Sequence, residues 1–210
     1  MKLISRYIAI LLFTFTLQAF TGYAQERKTI MFFGDSITAG YGLEMEQAFP
    51  ALIQKKIDES GWPHHVINAG LSGETSAGGL RRVDWVLQRK VDVFVLELGG
   101  NDGLRGINTE STKENLQGII DKVKQRYPEA VILLTGMEAP PNMGQDYTNA
   151  FRSIFSDLAE ENNLPFMPFI LEDVGGIPEL NLPDGIHPTA EGHEIIAENV
   201  WVLLRPLIRP

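Results

Sequence analysis

The sequence contains no cysteine, which excludes disulfides, thiolate nucleophiles and zinc–thiolate centres together. Histidine is scarce too, with four in 210 residues, so imidazole chemistry is confined to His64, His65, His187 and His193. A metallohydrolase would draw on the local grouping of Asp184, His187, Glu191 and His193. No His-Glu-x-x-His occurs, however, and His187 and His193 are six residues apart, on different faces of any helix. His193 is expected to pack or cap, and His64 and His65, at the start of a strand, have surface and packing roles. No metal or organic cofactor is expected.

Positive charge is also in short supply, with 18 Lys and Arg against 27 Asp and Glu and a net charge of −9. The first 24 residues carry Lys2 and Arg6 and no acid, so the remainder stands at −11. A basic footprint for nucleic acid is missing, and polyanionic substrates would be weakly repelled at physiological salt. Neither Gly-x-Gly-x-x-Gly nor Gly-x4-Gly-Lys-Ser/Thr follows the first strand, which removes the common nucleotide-binding loops.

No apolar run reaches the roughly 20 residues needed to span a bilayer. Ile8 to Phe20 covers 13 residues and is interrupted by Thr14, Thr16 and Gln18. Lys2 and Arg6 precede it, and Gly22-Tyr23-Ala24 places small residues at −3 and −1 of a cleavage point. This is signal-peptide anatomy. Residues 1–24 are expected to be removed, leaving one domain over 25–210 in the periplasm or outside the cell. That domain is expected to be monomeric and to make no stable membrane insertion after cleavage.

What remains is ordinary globular composition, 44% apolar and 21% charged. Strand-like and helix-like segments alternate. Strands are expected at Thr29–Phe33, His65–Ala69, Val91–Leu98, Ala130–Leu134 and Leu164–Ile170, the last held to an edge by Pro165 and Pro168. Helices are expected at Ala48–Ile57, Leu80–Leu87, Thr112–Tyr127, Phe151–Glu161 and Thr189–Leu204, with long loops at 137–147 and 172–188. This alternation predicts an α/β fold with a five-stranded parallel sheet and helices on both faces. Ligands in such sheets bind beyond the strand C-termini, where the polar and glycine-rich clusters fall.

Four of those clusters can carry chemistry. Ser36 follows the first strand through Gly34-Asp35, close to free N–H groups at a helix start; it is either an N-cap or a nucleophile. Asp184-Gly185-Ile186-His187 pairs an acid with an imidazole in one turn, as turn and cap residues or as a base with its orienting carboxylate. Gly73, in Ser72-Gly73-Glu74, leaves its N–H unshielded. Asn101, after Gly99-Gly100, has an amide able to donate to an oxyanion or to cap the backbone locally.

Taken together, these blocks resemble the GDSL/SGNH hydrolase family. Gly34-Asp35-Ser36 matches its GDS block, Gly73 its glycine block, Gly99-Gly100-Asn101-Asp102 its GGND block and Asp184-Gly185-Ile186-His187 its DxxH block. The resemblance spans about residues 29–205. Gly34 to Gly42 and Met137 to Asn142 look closest to the thioesterase I, lysophospholipase L1 and arylesterase branch. The resemblance implies a flavodoxin-like three-layer sandwich. It also implies Ser36 as nucleophile, His187 as base and Asp184 as its orienting partner, with the Ser36 N–H, Gly73 and Asn101 forming the oxyanion hole.

An α/β-hydrolase would need Gly-x-Ser-x-Gly and a triad acid well separated from the histidine, and neither is present. The expected reaction is ester hydrolysis through an acyl-enzyme on a small-molecule ester or lipid, arylesterase or lysophospholipase first and thioester second. A carbohydrate O-deacetylase and a non-catalytic lipid- or carbohydrate-binding relative are the alternatives. Leu104, Ile107, Met137, Pro140, Met143 and Tyr147 are expected either to line an apolar acyl site or merely to cover the sheet's end.

Overall fold

A computed structural model describes residues 26–209. The 1–24 segment read as a signal peptide lies outside the described residues. Among the described residues, no helix is long and apolar enough to cross a membrane.

Five parallel strands form one sheet: β1 (Thr29–Gly34), β2 (His65–Gly70), β3 (Val93–Glu97), β4 (Val131–Thr135) and β5 (Phe166–Met167), in the order β2-β1-β3-β4-β5. The helices are α1 (Ser36–Ala39), α2 (Phe49–Glu59), α3 (Ser76–Val86), α4 (Gly100–Leu104), α5 (Thr109–Arg126), α6 (Gln145–Asn162) and α7 (Ala190–Ile208). The crossover from β1 runs one way to β2, and all later ones run the other way. Right-handed crossovers therefore send α2 to one face and α3, α5 and α6 to the opposite face. Observed packing agrees, since α2 meets α7, while α3, α5 and α6 pack in series. The fold is the expected three-layer sandwich.

Period-2 alternation assigns the core. Phe32 points to the α2 face, where its ring meets Phe49 edge-on at 5.3 Å. Phe33 points the other way and lies under the Arg82 guanidinium of α3 at 4.3 Å. All five residues of β3 are buried, as a central parallel strand covered on both faces requires.

All five expected strands are present, but β3 is shorter than Val91–Leu98 and the last strand is cut furthest. β5 is two residues long rather than Leu164–Ile170, because Pro165 and Pro168 supply no N–H to a ladder. Three helices start earlier than the apolar spacing predicts. α3 begins at Ser76, capped by Thr75, α5 at Thr109, capped by Asn108, and α6 at Gln145, inside the segment expected to be loop. The last helix continues past Leu204 to Ile208 with Pro206 inside it.

Candidate active site

Chain order reverses between the neighbouring strands β1 and β3, which opens a crevice at their C-terminal ends. Ser36 and Asn101 leave from these two strands, and Gly73 from the turn after β2 on the other side of β1. Gly34 ends β1 with no side chain because there is no room for one. A Cβ there would lie 2.2 Å from Thr38 Oγ1 and 2.4 Å from the Glu97 carbonyl oxygen. The chain then turns sharply, and Asp35 caps α1 by accepting from Ile37 N at 3.0 Å. Ser36 is thereby the first residue of α1, largely buried at 8% exposure but reaching the crevice.

Asp184 and His187 arrive on the loop before α7. Asn181 anchors that loop by donating from Nδ2 to the carbonyls of Val174 and Ile177, both at 2.8 Å. Leu182 N donates to His187 O at 2.7 Å and Gly185 N to Leu182 O at 2.8 Å, closing the turn. One Asp184 oxygen accepts from the N–H groups of Ile186 and His187, at 2.9 and 3.0 Å. The other lies 2.7 Å from His187 Nδ1. The His187 N–H, its ring and the Ile186 N–H together hold the Asp184 carboxyl down at about 2, so it is ionised at any ordinary pH.

A carboxylate accepting from Nδ1 keeps the ring proton on that nitrogen and leaves Nε2 as an acceptor. His187 Nε2 stands 3.0 Å from Ser36 Oγ. The Tyr41 ring lies 4.3 Å from the imidazole and covers it on one side. Hydroxyl, imidazole and carboxylate are therefore in hydrogen-bonded series.

Gly73 and Asn101 line the same cavity as Ser36 and His187. Gly73 has φ +80°, a conformation costly to any side chain. Its turn is closed by Glu74 N donating to Leu71 O at 3.1 Å. Beneath it, Glu74 is ion-paired with Arg82, which also donates to Ala69 O at 2.9 Å. Among the described residues, neither the Ser36 N–H nor the Gly73 N–H has a hydrogen-bond partner. Asn101 donates one Nδ2 hydrogen to Asp35 Oδ2 at 3.2 Å, leaving the second available. Ser36, Gly73 and Asn101 thus bring three N–H donors to residues that line one cavity together with the Ser36 hydroxyl.

Besides Glu74, the buried acids Asp102, Glu97 and Asp35 support the site; Asp102 and Asp35 stand out in the sequence only as members of the matched blocks, and Glu97 lies in none of them. Asp102, fully buried, accepts from Ser76 N at 2.8 Å, Ser76 Oγ at 2.5 Å and Thr112 Oγ1 at 3.3 Å, tying α4 to α3 and α5. Glu97 lies beneath the Ser36 turn. Its Oε2 accepts from Thr38 Oγ1 at 2.7 Å, Thr38 N at 3.3 Å and Asp35 N at 3.4 Å, and its Oε1 is buried with no partner among the described residues. Burial and the neighbouring Asp35 push the Glu97 carboxyl well above its usual range, and burial lifts Asp35 to about 6. An acid ending a wholly apolar strand was the available signal for Glu97.

His193 and His64 are held in buried packing and hydrogen-bonding positions away from the Ser36 hydroxyl, and His65 is exposed on β2. His193 accepts from Phe49 N at 3.1 Å and stacks on the Phe49 ring, and burial lowers it to about 4. His64 is also buried, its Nδ1 accepting from Lys28 N at 3.1 Å, with Nε2 2.7 Å from Ile208 O. Among the described residues, no three His, Asp or Glu side chains are grouped so as to hold a metal ion.

The crevice is a cavity of about 950 Å³. Of the residues read as a possible apolar lining, Leu104, Met137 and Pro140 border it, joined by Phe169 and Leu171 from the loop after β5. Ile107, Met143 and Tyr147 do not. Tyr147 instead donates its hydroxyl to Ile107 O at 2.8 Å and stacks on Phe151, bracing the segment behind the cavity.

Comparison with known proteins places this geometry. The model of the GDSL-like Lipase/Acylhydrolase family matches residues 32–195. The chain is 41% identical over 182 residues to Esterase TesA of Pseudomonas aeruginosa, covering 86% of this chain and 90% of that one. It is 38% identical over 181 residues to Thioesterase 1/protease 1/lysophospholipase L1 of Escherichia coli, covering 86% and 85%. The crystal structure of psychrotrophic esterase EstA from Pseudoalteromonas sp., inhibited by monoethylphosphonate, superposes with a TM-score of 0.81 at 33% identity, covering 87% of this chain and all of that one. The chain belongs to the GDSL-like lipase/acylhydrolase family.

Proposed function

We propose that this carboxylic ester hydrolase works by acyl transfer through Ser36. One observation carries the reading: the Ser36 hydroxyl is 3.0 Å from His187 Nε2, whose other ring nitrogen is 2.7 Å from Asp184. As Ser36 Oγ attacks the ester carbonyl, its proton passes to Nε2, and Asp184 stabilises the resulting imidazolium. Charge moves to the carbonyl oxygen, where the N–H groups of Ser36 and Gly73 and the free Asn101 Nδ2 hydrogen receive it. Each such donor contributes roughly 3–4 kcal/mol to the transition state in comparable enzymes. The leaving alcohol takes the proton from Nε2. Water, deprotonated by the same ring, then attacks the Ser36 acyl ester and frees the acid.

The substrate reading follows from the cavity. Leu104, Met137, Pro140, Phe169 and Leu171 suit an apolar acyl or aryl group. Aryl esters and lysophospholipids come first and thioesters second. Processing at residues 24/25 would place the enzyme outside the cytoplasm, away from cytoplasmic CoA esters. The net charge of −11 on that mature chain also disfavours polyanionic leaving groups.

Labelling with a fluorophosphonate probe tests the nucleophile, because it needs an activated serine. Wild-type protein should be labelled, and Ser36→Ala should not. Ser36→Ala and His187→Ala should each lower kcat by about three orders of magnitude or more. Asp184→Asn should cost less, since backbone groups also shape that turn. Esterase activity surviving in Ser36→Ala protein would sink the assignment. Rates across acyl lengths, with matched oxygen and sulfur esters, then rank the substrates.

A further inference from the structure

Asn101 presents a problem of orientation. A primary amide fits its pocket in either of two poses related by a 180° flip, and only one directs N–H at the reacting carbonyl. Two neighbours resolve this. On one edge the guanidinium of Arg105 donates from Nη2 to Asn101 Oδ1 at 3.3 Å. On the other, Asp35 Oδ2 accepts from Nδ2 at 3.2 Å. A guanidinium cannot accept a hydrogen bond and an ionised carboxylate cannot donate one, so a flipped amide would meet repulsion at both ends.

The same Arg105 nitrogen donates to the carbonyl of Gly73 at 3.1 Å. That carbonyl belongs to a residue that lines the cavity and holds a φ of +80°, a conformation open to glycine and costly to residues with a side chain. Arg105 reaches both because it caps α4 one turn beyond Asn101, its backbone N–H donating to Asn101 O at 3.2 Å. One side chain thus spans the turn after β2 and the turn after β3.

We propose that Arg105 is a positioning residue for acyl transfer: it fixes the Asn101 amide pose and the Gly73 turn relative to each other, so that their donors converge on one oxyanion. This rests on the reading of Ser36 as nucleophile given above. Arg105 need not touch the substrate and acts through Asn101 and Gly73. Because its side chain is exposed, losing it should leave the fold intact. Lysine retains the charge but lacks the planar fork that serves two acceptors at once.

Steady-state kinetics on a short aryl ester test this with Arg105→Ala, Arg105→Lys, Asn101→Ala and the Arg105→Ala/Asn101→Ala pair. Arg105→Ala should lower kcat about tenfold with KM changed less than twofold, the pattern of an interaction used in the transition state alone. Its melting temperature should match wild type. Arg105→Lys should recover part of the loss. The double variant should lose less than the product of the two single losses, because Arg105 has less to orient once the amide is gone. Wild-type kcat in Arg105→Ala, a loss confined to KM, or a double variant matching the product would overturn the proposal. Fluorophosphonate labelling of the same proteins separates the two claims. If Arg105→Ala is labelled and fully active, only the positioning role falls; if wild type is not labelled, the nucleophile assignment falls.

Discussion

Ser36 and Glu97 meet at one turn, and sequence made only the first conspicuous. A serine after Gly-Asp at a strand end, with Asp-x-x-His far downstream, carries a recognisable pattern, and the structure brings these residues into contact. Glu97 carries only the weaker signal of an acid closing an apolar strand, because nothing local shows that a fifth strand residue is sealed beneath a helix start. Its chemistry gives a prediction with a definite sign. The unfolded chain ionises Glu97 near 4.5, whereas the folded chain holds its proton well above that. Stability from this group is therefore fully present below 4.5 and is lost as pH rises through the folded value. Glu97→Gln keeps an acceptor for Thr38 and Asp35 but removes the charge. Thermal melts from pH 5 to 9 should show the variant gaining on wild type as pH increases. A difference that stays constant with pH would refute the account.

At the level of elements, apolar spacing located helices by their middles and missed their polar beginnings. Ser76, Thr109 and Gln145 open helices whose first turns carry few large apolar side chains, so the 3.6-residue pattern starts late in each. α4 escaped notice entirely: five residues, two of them glycine, offer no periodicity. Its position depends on Asp102, the strut to α3 and α5. Asp102→Ala would leave Ser76 N and Oγ buried without acceptors, at a cost of about 3 kcal/mol. It would also loosen α4, which carries Asn101. Urea denaturation should register the lower midpoint, and kcat should fall in the folded variant. Unchanged stability would show that Ser76 finds other partners.

For the whole molecule, alternating segments were enough for the layer architecture, but strand order was not legible. Periodicity reports that β1 and β3 are buried; it does not report that they are neighbours. That adjacency places the reversal point, and hence the crevice, between the turns bearing Ser36 and Asn101. The amino-terminal segment makes its own prediction at this scale. Expression with the full leader in a Gram-negative host should yield extracytoplasmic protein beginning at Gln25, as read by amino-terminal sequencing. Protein retaining Met1 would argue against processing.

Ser36 and His187 lie 151 positions apart along the chain, the first near the beginning of the domain and the second just ahead of its terminal helix. A single backbone cut anywhere between them would leave the hydroxyl and the imidazole on separate fragments. On the reading of Ser36 as nucleophile, neither fragment alone would hold both halves of the proton relay, so esterase activity would depend on the two pieces staying associated.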